Sequence, residues 1–138
     1  MMKIKLSLVL IVTFWLMVTA GCSQPHESQP ELLQQNPEYS IRKGRDLFSH
    51  YCSPCHGETG DGFGQYFAYG LQPRPADFTA ADFLDERDDQ RLFLSISESS
   101  EAVGGSKMCP PWGKTFTEEE IKLLINRIKE LNTGEESY

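Results

Sequence analysis

The residues with the most defined chemistry are two cysteines and a histidine in the run Cys52-Ser53-Pro54-Cys55-His56. Cys-x-x-Cys-His is the spacing that attaches a haem covalently. On one helical turn the two thiols lie on one side, where they can add to the two vinyl groups of the porphyrin. His56 then falls beneath the iron and can bind it as proximal ligand. Other uses of these residues fit less well. A zinc site could draw on Cys52, Cys55, His56 and Cys109, but the second close pair seen in zinc ribbons and fingers is missing from the sequence. A thioredoxin-like redox pair needs a βαβ setting, and no alternating apolar–polar run points to a sheet. His50 precedes Cys52 by two residues, on the proximal side, and reads as exposed or at the haem edge.

Three helices position this run. The first is expected over about 40–55, where Ile41, Gly44, Leu47, Phe48 and Tyr51 recur at spacings of three and four. The second is expected over about 89–98, capped by Asp88, with Leu92, Phe93 and Ile96 on one side. The third begins at Thr117, which forms a Thr-x-x-Glu capping box with Glu120, and Phe116 with Ile121 can close a hydrophobic staple. Ile121, Leu124, Ile125, Ile128 and Leu131 then make one apolar stripe. Between the helices run two loops rich in Gly and Pro, 57–78 and 99–115. So much loop needs something else at its centre, and a haem would supply an apolar core for both to wrap. The fold class expected is therefore all-α, with three to four helices and long loops around one haem.

At this point residues 41–131 resemble a class I cytochrome c domain. The stretches that carry the resemblance are Gly44-x-x-Leu47-Phe48, the Cys52–Gly57 run, Gly60-Asp61-Gly62-x-Gly64, Arg74-Pro75-Ala76-Asp77-Phe78, Asp88-x-x-x-Leu92-Phe93-x-x-Ile96, and Pro110-Pro111-Trp112-Gly113 before the last helix. The resemblance implies one covalent haem c on Cys52 and Cys55 with His56 on the iron. It implies that the first and last helices cross, with Gly44 allowing close approach and Phe48 packing there. It also implies that Trp112 and Arg74 lie near the haem propionates, although core packing for Trp112 and a solvated loop charge for Arg74 are the plainer readings.

The chain departs from the family pattern at three places. Arg127 stands where an aromatic residue is common in the last helix, and Gln65 stands where a Pro often presents a carbonyl to the proximal His. Which carbonyl orients His56 is thus open, although an acceptor is expected. The third departure concerns the distal ligand, usually a Met directly before Pro-Pro-Trp-Gly. Here Cys109 holds that place and Met108 is displaced by one residue. In an extended loop a one-residue shift turns a side chain to the opposite side. Sequence position therefore favours Cys109, whereas thioether is the common partner of His in carriers. Cys109 or Met108 binds the iron, or neither does and Cys109 is a small packed residue or a site of intermolecular pairing.

The ends of the chain bear on location. Lys3 and Lys5, the apolar run from Leu6 to Val18, and the small residues Thr19-Ala20-Gly21 before Cys22 have the order of a signal peptide, too short to read first as a membrane span. The Thr-Ala-Gly-Cys ending resembles the lipobox of bacterial lipoproteins, in which Cys22 would be lipidated, although Leu is usual where Thr19 stands; a soluble protein cut near Ala20 or Gly21 is the alternative. The expected layout is a signal peptide with lipobox over 1–21, the lipid-anchor Cys and a flexible tether over 22–38, a cytochrome domain over 39–131 and a tail over 132–138. Residues 23–38 are rich in Gln, Pro, Glu and Ser, His26 among them reads as solvated, and the segment would reach about 20–25 Å. Losing Lys3 and Lys5 takes the 13 basic residues to 11 against 20 acidic ones, a net charge of −9. Such a surface argues against nucleic acid and for partners with a positive docking patch. The acidic run Asp82–Asp89 reads as a solvated face around a helix start.

Together these features lead us to expect an electron carrier rather than an enzyme, anchored to the membrane as a periplasmic lipoprotein and exchanging electrons with a reductase, an oxidase or another cytochrome. The alternatives from other classes are a His/Cys-ligated haem subunit in sulfur-compound oxidation and a haem-based gas sensor.

Overall fold

The computed structural model describes residues 36–65 and 70–135. The expected signal peptide, Cys22, His26 and most of the expected tether lie outside them. Among the described residues four helices occur in order: α1 (Pro37–Leu47), α2 (Ser53–His56), α3 (Asp89–Ser97) and α4 (Glu118–Thr133). A π turn, Phe48–Cys52, joins α1 to α2, and a 310 turn, Ser100–Val103, comes after α3. No strand occurs among the described residues, so the fold is small and all-α, as expected. None of the described helices is long and apolar enough to cross a membrane.

The start of α1 lies three residues earlier than periodicity suggested. Asn36 caps it by accepting the Tyr39 N–H at 3.1 Å, and Pro37 fits the first turn, where no N–H is needed. This puts the end of the expected tether into ordered helix. The π turn was not foreseen. The Ser53 N–H at its end reaches back five residues to the Phe48 carbonyl. One extra residue rotates the next turn by about 100° relative to an α-helix. Leu47 and Phe48 can thus stay buried against the core while the Cys52–His56 turn presents a different face. The widened turn also accommodates Pro54, whose ring would otherwise meet the carbonyl four residues back.

Packing of α1 on α4 forms the centre of the fold. A Cβ on Gly44 would lie 2.8 Å from the Leu123 carbonyl oxygen, so only glycine lets the two backbones come this close. Phe48 is 1% exposed beneath this contact, as the resemblance implied. In α4, Ile121, Leu124, Ile125 and Ile128 are buried and Leu131 is partly so, which matches the stripe read from the sequence. The capping box forms in full: Thr117 Oγ1 accepts the Glu120 N–H and Glu120 Oε2 accepts the Thr117 N–H. Phe116 and Ile121, the two staple residues, share the buried cluster.

Where an aromatic residue is common, Arg127 forms an ion pair instead. Glu130 accepts from Arg127 at 3.1 Å and pairs with Arg45 of α1 at 3.5 Å, so charge complementarity holds this part of the crossing. The helix continues to Thr133, and Asn132 donates to the carbonyls of Phe78 and Ala80 at 2.9 and 2.8 Å. The first two residues of the expected tail are thus helical, and Asn132 fastens the first long loop.

The α3 helix starts as read, with Asp88 accepting the Arg91 N–H at 2.8 Å. Its Asp89 pairs with Lys129 of α4. Asp82, Asp85, Glu86 and Asp88 lie exposed on the turns before it, the solvated acidic face expected.

Candidate haem-binding site

Cys52 closes the π turn, and Ser53, Pro54, Cys55 and His56 make up α2. Ser53 Oγ holds the turn by donating to the Ser49 carbonyl and the Glu58 carboxylate. The glycine loop after α2 lies on it. Gly62 N–H donates to the His56 carbonyl at 2.8 Å, and Gly64 N–H to that of Cys55 at 3.1 Å. A Cβ on Gly64 would stand 2.2 Å from the Pro54 carbonyl oxygen. Backbone here runs directly against backbone, and no side chain fits between.

The carbonyl left open by Gln65 is that of Ala76. His56 Nδ1–H donates to Ala76 O at 3.0 Å, which fixes the tautomer and leaves Nε2 with its lone pair free. Phe78, two residues further on, stacks on the imidazole with centroids 4.4 Å apart and planes 17° apart. Phe78 N–H is itself anchored to the Gly60 carbonyl at 2.7 Å. Ala76 and Phe78 belong to the Arg74–Phe78 stretch of the resemblance, but nothing in the residue types marked Ala76 as the acceptor. A backbone carbonyl leaves no signature in the side chain that carries it.

Burial lowers the His56 pKa, against the opposing pull of the Ala76 hydrogen bond, so the ring stays neutral and able to ligate. Cys52, Cys55 and Cys109 are all free and half-buried. Burial, then the nearby Cys109 and Cys55, pushes the Cys52 thiol up to about 12. Burial likewise raises Cys55. For Cys109, burial raises the pKa, the Ser100 backbone N–H beside the sulfur lowers it, and Cys55 raises it. The three sulfurs are thus electrostatic neighbours, although Cys109 comes from a loop far along the chain from the Cys52–Cys55 turn. Even so, no group of three or more Cys, His, Asp or Glu side chains among the described residues is arranged to hold a bare metal ion, so the zinc alternative finds no site.

The remaining expected residues fall around this turn. Trp112 is half-buried, stacks on Phe116 at 5.3 Å and meets the edge of Tyr51 at 5.5 Å, so it forms part of an aromatic wall next to Cys52. Its backbone N–H donates to the Ile96 carbonyl. Arg74 is exposed and its guanidinium lies 3.9 Å from the centre of the Phe63 ring. His50 is exposed against Tyr51, as its position suggested. Met108 is 53% exposed, while Cys109, its neighbour, is half-buried.

Two free thiols on one turn, a neutral imidazole held by a carbonyl with Nε2 available, and an aromatic surround are the donor set and lining that a covalent haem needs. The family model described as cytochrome c oxidase, cbb3-type, subunit III matches residues 40–126, from early α1 well into α4. The chain belongs to this family of c-type cytochrome domains. No curated protein matches it. Membership establishes a class I cytochrome c domain, with covalent haem c and haem-based electron transfer as its implied chemistry. The match ends at Asn126, so Arg127, Glu130 and Asn132 lie beyond it.

Proposed function

We propose that this cytochrome domain is a membrane-tethered electron carrier working outside the cytoplasm, with one haem bound through Cys52 and Cys55 and His56 on the iron. The observation that carries the assignment of His56 is its bond to Ala76, which leaves Nε2 as the free nitrogen. When bound, the haem supplies a one-electron Fe(II)/Fe(III) couple. The residues hold and insulate it. Ala76 and Phe78 fix the imidazole plane, the glycine loop seals the turn from behind, and Tyr51, Trp112 and Phe116 give an apolar wall on the side of Cys52. Arg74 supports a role beside the propionates by its charge and its place in the same loop as Ala76. A rigid frame of this kind suits outer-sphere transfer, because little has to move when the charge on iron changes.

The leader-like residues 1–21 and Cys22 support export and lipidation, and a tether over the residues after Cys22 would keep the domain at high effective concentration near a membrane complex. The description of the family model points to an oxidase complex as one such partner. Protein from a host with a c-type maturation system should keep its haem through acid–acetone extraction and carry a lipid on Cys22 by mass spectrometry. Release of the haem would sink the covalent assignment, and an unmodified Cys22 the anchor. Steady oxidation of thiosulfate by the purified protein would show it to be an enzyme instead of a carrier.

A further inference from the structure

Resting on the haem assignment above, the geometry points to Cys109 as the second axial ligand of the iron, opposite His56, with Met108 outside the coordination sphere. Four observations carry it. Cys109 is half-buried and close enough to Cys52 and Cys55 for their charges to act on one another, so it lies beside the turn that would hold the porphyrin. Met108, one residue earlier, leaves 53% of its surface in solvent. Lys107 and Met108 form a turn in which the Met108 N–H donates to Ser106 Oγ at 3.0 Å, and Cys109 follows in a bend before Pro110, so the backbone changes direction between the two residues. Finally, the Ser100 backbone lies beside the Cys109 sulfur, which sets the thiol against the pinned part of the loop.

The loop is built to hold this arrangement. Gly105 N–H donates to Ser100 O at 2.7 Å, and Ser100 Oγ donates to Ser106 O at 2.6 Å, which ties Ser100 to the stretch of loop leading into Cys109. Arg91 of α3 donates to Val103 O at 2.7 Å, and Lys107 pairs with Glu101 at 3.1 Å. On the far side, Trp112 and Gly113 N–H groups are bound to the carbonyls of Ile96 and Ser97, both at 2.9 Å. Bringing Met108 to the iron would require turning a segment held at both ends. The Cys109 S–H makes only a weak bond, 3.8 Å from the Pro110 carbonyl oxygen, and binding iron as thiolate would release that proton to solvent. A thiolate ligand donates electron density to iron, favours the ferric state and lowers the reduction potential relative to a His/Met carrier.

The test uses the full-length haem-loaded protein, with Met108→Leu and Cys109→Ala beside the wild type. Ferric far-red absorption, a redox titration and carbon monoxide binding are measured on each. The wild type should lack the thioether–iron charge-transfer band. Met108→Leu should leave spectrum and midpoint unchanged, while Cys109→Ala should change the ferric spectrum, raise the midpoint and open the ferrous iron to carbon monoxide. A thioether band in the wild type that vanishes in Met108→Leu overturns the inference, and so does a Cys109→Ala spectrum identical to wild type. Should Cys109→Ala fail to fold, the wild-type band and its response to Met108→Leu still decide. Acid–acetone extraction of the wild type is the separate readout: haem release overturns the haem assignment itself, whereas haem retention with an unchanged Cys109→Ala overturns only the ligand.

Discussion

His56, the proposed iron ligand, is oriented by groups that would not themselves touch the metal. Its Nδ1–H is held by Ala76 and its face by Phe78, so the ring can neither flip nor change tautomer without breaking both contacts. Phe78 is 7% exposed and also meets Phe48 and Phe83 edge-on, which makes it the link between the imidazole and the core. Phe78→Ala should therefore lose about 3–5 kcal/mol of stability by urea unfolding, as large buried aromatics do. A shift in the haem absorption should accompany it, because the imidazole loses its support. Gly64 is the opposite case, a residue that matters by having no side chain. Gly64→Ala places a methyl against the Pro54 carbonyl and should cost at least about 1–3 kcal/mol. Yield of covalent haem should fall with it, since the displaced backbone is that of the proposed attachment turn.

At the scale of elements, the helices do their positioning through ends and crossings. The α4 N-terminus carries a complete capping box, and Thr117→Ala should lower stability by about 1 kcal/mol without moving the reduction potential, a difference that chemical unfolding and redox titration would separate. The loop after α3 begins with strain. Ser99 has φ +91° and ψ 147°, a region that is almost exclusive to glycine and costs on the order of 1–3 kcal/mol. Its side chain gives back only a weak cap to Glu101 N–H at 3.3 Å. Ser99→Gly should accordingly raise stability by about 1 kcal/mol in the same unfolding assay. At the α1–α4 crossing, Glu130 serves two arginines at once, so a neutral residue there would leave two half-buried guanidinium groups without their shared carboxylate.

Over the whole molecule, charge is the property that reaches furthest. The chain carries a net charge of −7, and the exposed acids of 82–89 concentrate part of it before α3. Electron exchange with a small cationic redox reagent should slow as salt is raised, and exchange with an anionic one should quicken, because screening weakens attraction and repulsion alike. Stopped-flow traces at two ionic strengths would check this, and equal rates for both reagents would mean that the haem edge lies away from the acidic face.

Much of this molecule was legible from one sequence because its signals are local. Cys-x-x-Cys-His, the Asp88 cap, the Thr117–Glu120 box and the α4 stripe each depend on residues within a turn or two of one another, and side-chain type reports them directly. The close approach at Gly44 was readable through the family resemblance, which implied it. The features that needed the folded chain involve backbone atoms or residues far apart in sequence. The Ala76 carbonyl on His56, the Phe78 stack and the Asn132 clasp join segments 20 to 54 residues apart, and a carbonyl is the same in every residue. The π turn escaped because it keeps the residues of a helix and changes only their register. Met108 and Cys109 could not be separated in sequence, being adjacent and both capable of binding iron; their unequal exposure comes from a loop pinned to α3.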